Sequence, residues 1–255
     1  MDSVRTGHIN TTKIDNAEMN NEKKKFEEYI HFYKSELSNV ATSIKTLEIL
    51  TSNTKEIFTF NSYCSSFFRV TIYNFWARCV IGLNECFNGD CYGYNKFFNY
   101  VKANWNKIFT AKWEKIINWN DGTSDVSKIK WQYKDVDRRI TDAQCKLNSE
   151  KVAVEKIKAF RDQVFAHIDK NQPNEKLNLA ELRQIFTVAE DVFNKIFCLY
   201  DLSECRLEPI NSGDVSNLIC IVNRYNKYRD EINQLRKNDF LKQNEQSDKG
   251  VKNER

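Results

Sequence analysis

Apolar residues recur in a regular pattern near the start of the chain. Between Phe26 and Leu47 they alternate spacings of four and three positions, as in a helix with one continuous apolar seam (Phe26, Ile30, Tyr33, Leu37, Val40, Ile44 and Leu47). Such a seam needs a partner helix along its whole length, either from the same chain or from a second subunit. The pattern predicts a long amphipathic helix that starts near Glu22.

Five further stretches carry apolar residues at helical spacing. The first of them ends at the turn residues Asn88-Gly89-Asp90 and is apolar nearly all round, so we expect it at the centre of the fold. The third is either one long helix or two stacked helices, and it is closed off by Pro173, whose nitrogen cannot donate a helical hydrogen bond. The stretches cover residues 57–87, 94–119, 126–169, 178–200 and 212–235.

Few residues that favour turns interrupt these stretches. The chain has only 2 prolines and 7 glycines, which argues against a fold with many tight turns. We therefore expect an all-α fold, a single domain over residues 22–236 built as a helical bundle of about five to six long helices. Residues 1–21 have no periodicity and are expected to form a disordered N-terminal tail, with a polar C-terminal tail over residues 237–255.

Composition narrows the range of possible sites. The 39 basic and 35 acidic residues give a net charge of +4, which neither indicates nor excludes a nucleic-acid binder. The 8 cysteines form no C-x-x-C pair and there are only 3 histidines, so we expect reduced, mostly buried cysteines and neither a metal nor a cofactor. No apolar run suits a signal peptide or a membrane span, so the sequence predicts a cytoplasmic protein without membrane contact.

One short segment carries side chains suited to catalysis, Arg161-Asp162-Gln163-Val164-Phe165-Ala166-His167. The imidazole of His167 titrates near neutral pH and can exchange a proton, and the guanidinium of Arg161 matches phosphate oxygens with its forked donors. Asp162 is placed to orient either side chain. An arginine and a histidine six positions apart also occur by chance, and the helix dipole alone favours a histidine in a last helical turn.

This segment resembles the signature of the HEPN superfamily, which is an arginine, a polar residue, and then a histidine after four to six intervening positions. Ala166 before the histidine and Asp169 after it resemble the AbiU branch, which is linked to abortive phage infection, and residues 76–90 resemble that branch's second helix. The resemblance implies a helical bundle that dimerises and places the arginine and histidine of both subunits in one cleft. Some HEPN toxins carry a tyrosine where Asp169 stands here, so modification of such a tyrosine by an antitoxin is not expected.

Two functions remain as expectations. The first, implied by the resemblance, is a metal-independent endoribonuclease with Arg161, His167 and Asp162 as catalytic residues, acting as a toxin or anti-phage defence effector. RNA would be its substrate, a homodimer its assembly, and an antitoxin or another defence-system protein a further partner. The second is a non-catalytic interaction protein, an antitoxin or a regulatory subunit, in which Arg161 makes a surface ion pair and His167 bonds a backbone carbonyl.

Two geometric questions are left open by the sequence. On an unbroken helix Arg161 and His167 lie roughly 120° apart, so they converge only if the helix distorts or if a second copy completes the site. The basic residues Arg138 and Arg139, with Lys128, Lys130 and Lys134 on the preceding turns, form either a contact for an RNA backbone or an ordinary solvated helix face.

Overall fold

The fold was obtained as a computed structural model. It describes residues 7–14, 21–55, 57, 62–109, 112–119, 124–129, 131–162, 177–201, 205–207, 209 and 213–251. Seven helices lie in these ranges: α1 (Asn21–Ser52), α2 (Ser62–Asn88), α3 (Tyr94–Ile108), α4 (Tyr133–Ser149), α5 (Lys151–Phe160), α6 (Leu179–Asp201) and α7 (Gly213–Val251). The predicted helical bundle is confirmed.

A small antiparallel sheet accompanies the helices and was not predicted. Its order is β1 (Gly7–Ile14), β2 (Lys112–Trp119) and β3 (Ser124–Ile129), with Gly7 opposite Trp119 and Trp113 opposite Ile129. Three expectations are therefore corrected. Part of the predicted disordered tail is a strand, the stretch predicted over residues 94–119 is helical only to Ile108, and the stretch predicted over residues 126–169 begins within β3. The apolar residues of β2 fit helical spacing equally well, while β1 pairs with a strand far away in the sequence and leaves no local signal.

The residues of the chain group into two compact units. Unit 1 comprises Met1–Ala41 and Ala77–Ile210, and unit 2 comprises Thr42–Trp76 and Asn211–Arg255. This division was not predicted, because two of its three boundaries fall inside α1 and close to the middle of α2, where no linker marks them. Helix α7 also continues to Val251, well into the stretch expected to be a polar tail.

Stacked aromatic side chains form the core of unit 1. The rings of Tyr33 on α1 and Tyr94 on α3 stack with centroids 4.6 Å apart, and Phe97 and Phe193 pack beside them, all fully buried. The Tyr94 hydroxyl donates to the carbonyl of Ala189 on α6 at 2.6 Å, and the Tyr33 hydroxyl donates to the carbonyl of Tyr92. Both buried hydroxyls are thus satisfied, which fixes α1, α3 and α6 in one register.

The apolar seam of α1 finds its partners within the chain. All seven of its residues are buried, each exposing 5% or less of its surface. Of the two partners that the sequence left open for this seam, the internal one is therefore correct.

The cysteines differ from the expectation in their burial. All seven of those described are free thiols, but only Cys79 and Cys86 are buried, and Cys91, Cys145 and Cys220 are exposed. Burial raises the pKa of the Cys86 thiol far above its usual range. In the part of the chain that the structure describes, no helix is long and apolar enough to cross a membrane, and no three His, Cys, Asp or Glu residues gather as metal ligands would.

Candidate functional site

Arg161 and Asp162 directly follow Phe160, the last residue of α5. Ile157, one turn earlier, is buried and anchors this end of α5 in unit 1. The backbone N–H of Arg161 donates to the carbonyls of Ile157 and Lys158, and Arg161 and Asp162 adopt a π-helical conformation. Such wider turns often occur at functional sites. Arg161 itself keeps backbone angles in the α-helical region, with φ at −57° and ψ at −50°.

The two side chains form a close ion pair. Nε and Nη2 of Arg161 donate to the same carboxylate oxygen of Asp162, at 2.7 and 2.5 Å. Arg161 exposes 32% of its side chain and Asp162 exposes 43%, so the pair is open to solvent. The carboxylate thus holds the edge of the guanidinium formed by Nε and Nη2, and a guanidinium has a further edge with which it can bind an anion.

An ion pair links α5, which precedes residues 163–176, to α6, which follows them. Lys156 on α5 donates to Glu181 on α6 at 2.7 Å. Glu181 also accepts from the backbone N–H of Asn178, and the Asn178 side chain accepts from the backbone N–H of Glu181, which is a capping box at the start of α6. The hydrogen bond from Lys156 is the main reason that the pKa of Glu181 lies below its usual value.

His167 lies outside the described residues, within the gap between 162 and 177. Of the three predicted site residues, Arg161 and Asp162 are therefore seen together, and the position of the imidazole stays a prediction. Asp162 was expected to orient either the arginine or the histidine. In the structure it holds Arg161.

A second group of charged side chains lines a cleft between α4 and α6 in unit 1. The cleft has a volume of about 370 Å³ and is lined by Arg139, Lys146, Asp191, Asn194, Lys195 and Cys198. Lys146 contacts Asp191 at 3.9 Å across it. Sequence reasoning noted Arg139 but missed Lys146 and Lys195, because only the packing of two distant helices brings them together. Both expected roles of Arg139, contact with an RNA backbone and an ordinary solvated position, stay predictions.

Comparison with known proteins decides the family. The family model described as AbiU2, of the HEPN group, matches residues 23–204, which is more than half of the chain. The chain belongs to the AbiU2 family of HEPN proteins. The resemblance predicted from the Arg161–His167 segment is therefore confirmed. No curated protein and no solved structure gives a significant match.

The AbiU2 match covers only part of the helices. It begins at Lys23 in α1, includes the candidate site, and ends at residue 204, just after α6. The remaining helix, α7, begins at Gly213 and so lies beyond the family match. Features of α7 are thus properties of this chain rather than of the matched AbiU2 region.

Proposed function

We propose that this AbiU2-family protein is a metal-independent endoribonuclease that acts in abortive-infection defence. The observation that supports it best is the exposed Arg161–Asp162 pair at the end of α5, within the family match. Membership of the family suggests the defence context, and the side chains of the segment suggest the chemistry. RNA as substrate and a shared site between two subunits are parts of this proposal.

The chemistry needs one proton acceptor, one proton donor and a cation. The ribose 2′-oxygen attacks the adjacent phosphorus, the 2′-hydroxyl proton passes to one imidazole of His167, and the P–O5′ bond breaks. The His167 imidazole of the second subunit, in its protonated form, gives a proton to the departing 5′-oxygen. Arg161 binds the phosphate through the Nη1 edge that Asp162 leaves open and stabilises the charge on the phosphorane. Asp162 is a positioning residue that holds the guanidinium.

Alanine variants of the two proposed catalytic residues test this function. His167→Ala and Arg161→Ala should each lower the rate of RNA cleavage about 100-fold or more, since each removes a group that acts on the transition state. Asp162→Asn keeps the side-chain shape but removes the charge that holds Arg161, so we expect a smaller loss. The rates are measured on labelled RNA in the presence of EDTA.

Two controls separate chemistry from folding. Lys158→Ala removes an exposed cation from the same end of α5, and it should cleave RNA like the wild type. All variants should retain the helical circular dichroism of the wild type. Full activity of either the His167 or the Arg161 variant would overturn the proposed function.

The runner-up function is a non-catalytic interaction protein, an antitoxin or a regulatory subunit. The ion pair between Arg161 and Asp162 also fits this function, because it is the surface pair expected of an arginine with a purely structural role. This alternative predicts no cleavage of any RNA at high protein concentration and a stable complex with a different protein from cells. A purified preparation of this chain alone that cleaves RNA would exclude it.

A further inference from the structure

Helix α7 carries two separate apolar faces. The first includes Ile219 and Val222, which are buried against Leu50, Ile57 and Phe68 in the core of unit 2. The second contains residues that alternate spacings of three and four and lies roughly 110° further round the helix. We call it the outer seam, and its residues are Leu218, Ile221, Tyr225, Tyr228, Ile232 and Leu235.

The outer seam is open to solvent. Leu218, Ile221, Tyr225, Tyr228 and Leu235 are between 38% and 63% exposed, and Ile232 is partly exposed. Six apolar residues at heptad spacing are the pattern that pairs one helix with another. Large exposed apolar surfaces of this kind mark interaction sites in soluble proteins.

The order of residues in the outer seam identifies the partner. Read from either end, the six positions give the same sequence: Leu, Ile, Tyr, Tyr, Ile, Leu. If a second α7 lies antiparallel, with a twofold axis between Tyr225 and Tyr228, then Leu218 faces Leu235, Ile221 faces Ile232 and Tyr225 faces Tyr228. Each layer then holds two identical side chains, as an interface that uses the same surface on both subunits requires.

Charges beside the outer seam favour the same arrangement. Arg224 and Glu231 are exposed and flank the outer seam on the side away from the buried face. In the antiparallel pairing, Arg224 of one chain lies near Glu231 of the other, and the symmetry repeats this attraction. In a parallel pairing, Arg224 would instead face Arg229 and repel it.

We propose that the outer seam of α7 binds a second copy of this chain as an antiparallel helix pair. The inference does not rest on the proposed nuclease function, because every residue in it lies beyond the family match and outside the candidate site. It identifies a surface for self-association that the family assignment does not supply.

Charge reversal in the full-length chain tests both the surface and the orientation. Arg224→Glu and Glu231→Arg should each raise the dissociation constant for self-association about tenfold, because each turns two attractive pairs into two repulsive ones. The double variant, R224E together with E231R, exchanges the charges and should restore the wild-type constant. Association is measured by sedimentation equilibrium over a dilution series.

Lys227→Glu is the matched control, since Lys227 is exposed on a third face of α7, away from both apolar faces. It should leave the constant unchanged, and circular dichroism should show that every variant is folded. A monomeric wild type, an Arg224→Glu variant that associates as well as or better than the wild type, or a double variant that does not recover would each overturn the proposal. RNA cleavage is not part of this readout, so a failure of the proposed nuclease leaves the result intact.

Discussion

At the scale of single residues, buried hydroxyl groups show how the fold of unit 1 is specified. Tyr94 is fully buried and donates to the carbonyl of Ala189, and burial raises the pKa of its phenol well above the usual value. A phenylalanine would fill the same space, but it has no hydroxyl to donate to that carbonyl. Tyr94 therefore positions α3 against α6 through its hydroxyl, and its ring adds apolar surface to the core.

Tyr94→Phe should lower the free energy of unfolding by about 1 kcal/mol, because it removes a buried hydrogen bond that links α3 to the Ala189 carbonyl on α6. Urea unfolding followed by circular dichroism measures the difference. Tyr133→Phe removes the same hydroxyl from an exposed side chain on α4 and should have almost no effect. Equal losses from the two variants would show that the buried hydrogen bond has no special role.

At the scale of helices, the sequence predicted which segments are helical and which residues are buried better than it predicted where each helix begins and ends. The seam of α1 was readable because its apolar residues keep one spacing over seven positions, and all of them are buried. The break between α4 and α5 at Glu150 contains no proline or glycine, so the sequence does not mark it. The apolar residues of β2 have a spacing that fits a helix or a strand equally well. One buried and one exposed apolar face on the same helix, as in α7, look the same in sequence as two buried faces.

The contact between α5 and α6 carries a pH-dependent contribution to stability. The pKa of Glu181 in the folded protein lies below the ordinary value for a glutamate, chiefly through the hydrogen bond from Lys156, so the ionised form stabilises the fold. That stabilisation is complete above about pH 4.5 and is lost as the pH falls through the lowered folded-state pKa.

Glu181→Gln keeps a side chain that can cap α6 and removes the charge. Its melting temperature should fall below that of the wild type at neutral pH, and the gap should close as the pH falls through the lowered pKa of Glu181. Lys156→Met should lose the same stability, and combining the two changes should add little more. A gap that stays constant or widens in acid would contradict the assigned role of this ion pair.

At the scale of the whole molecule, the family was predicted from one short segment, while the arrangement around that segment was not. Arg161 and Asp162 are held together as a positioning role for the aspartate requires, and the cleft of Arg139, Lys146 and Lys195 arises only when α4 packs on α6. The outer seam of α7 is recognised as an interaction surface only from the exposure of its residues, which the sequence does not show. Local apolar patterns thus predicted which residues lie in helices, and the packing of the helices determined which of their faces are exposed.

The central claim, that the chain cleaves RNA with its own side chains, is tested most directly by the ends of the RNA it produces. Attack by the 2′-oxygen leaves a 2′,3′-cyclic phosphate on one fragment and a 5′-hydroxyl on the other. We predict these ends, by mass spectrometry, from the purified wild type in EDTA, and about 100-fold less of them or lower from the His167→Ala variant in the same time. Cleavage that requires a divalent metal and leaves 5′-phosphates, or no cleavage of any RNA at high protein concentration, would contradict the account.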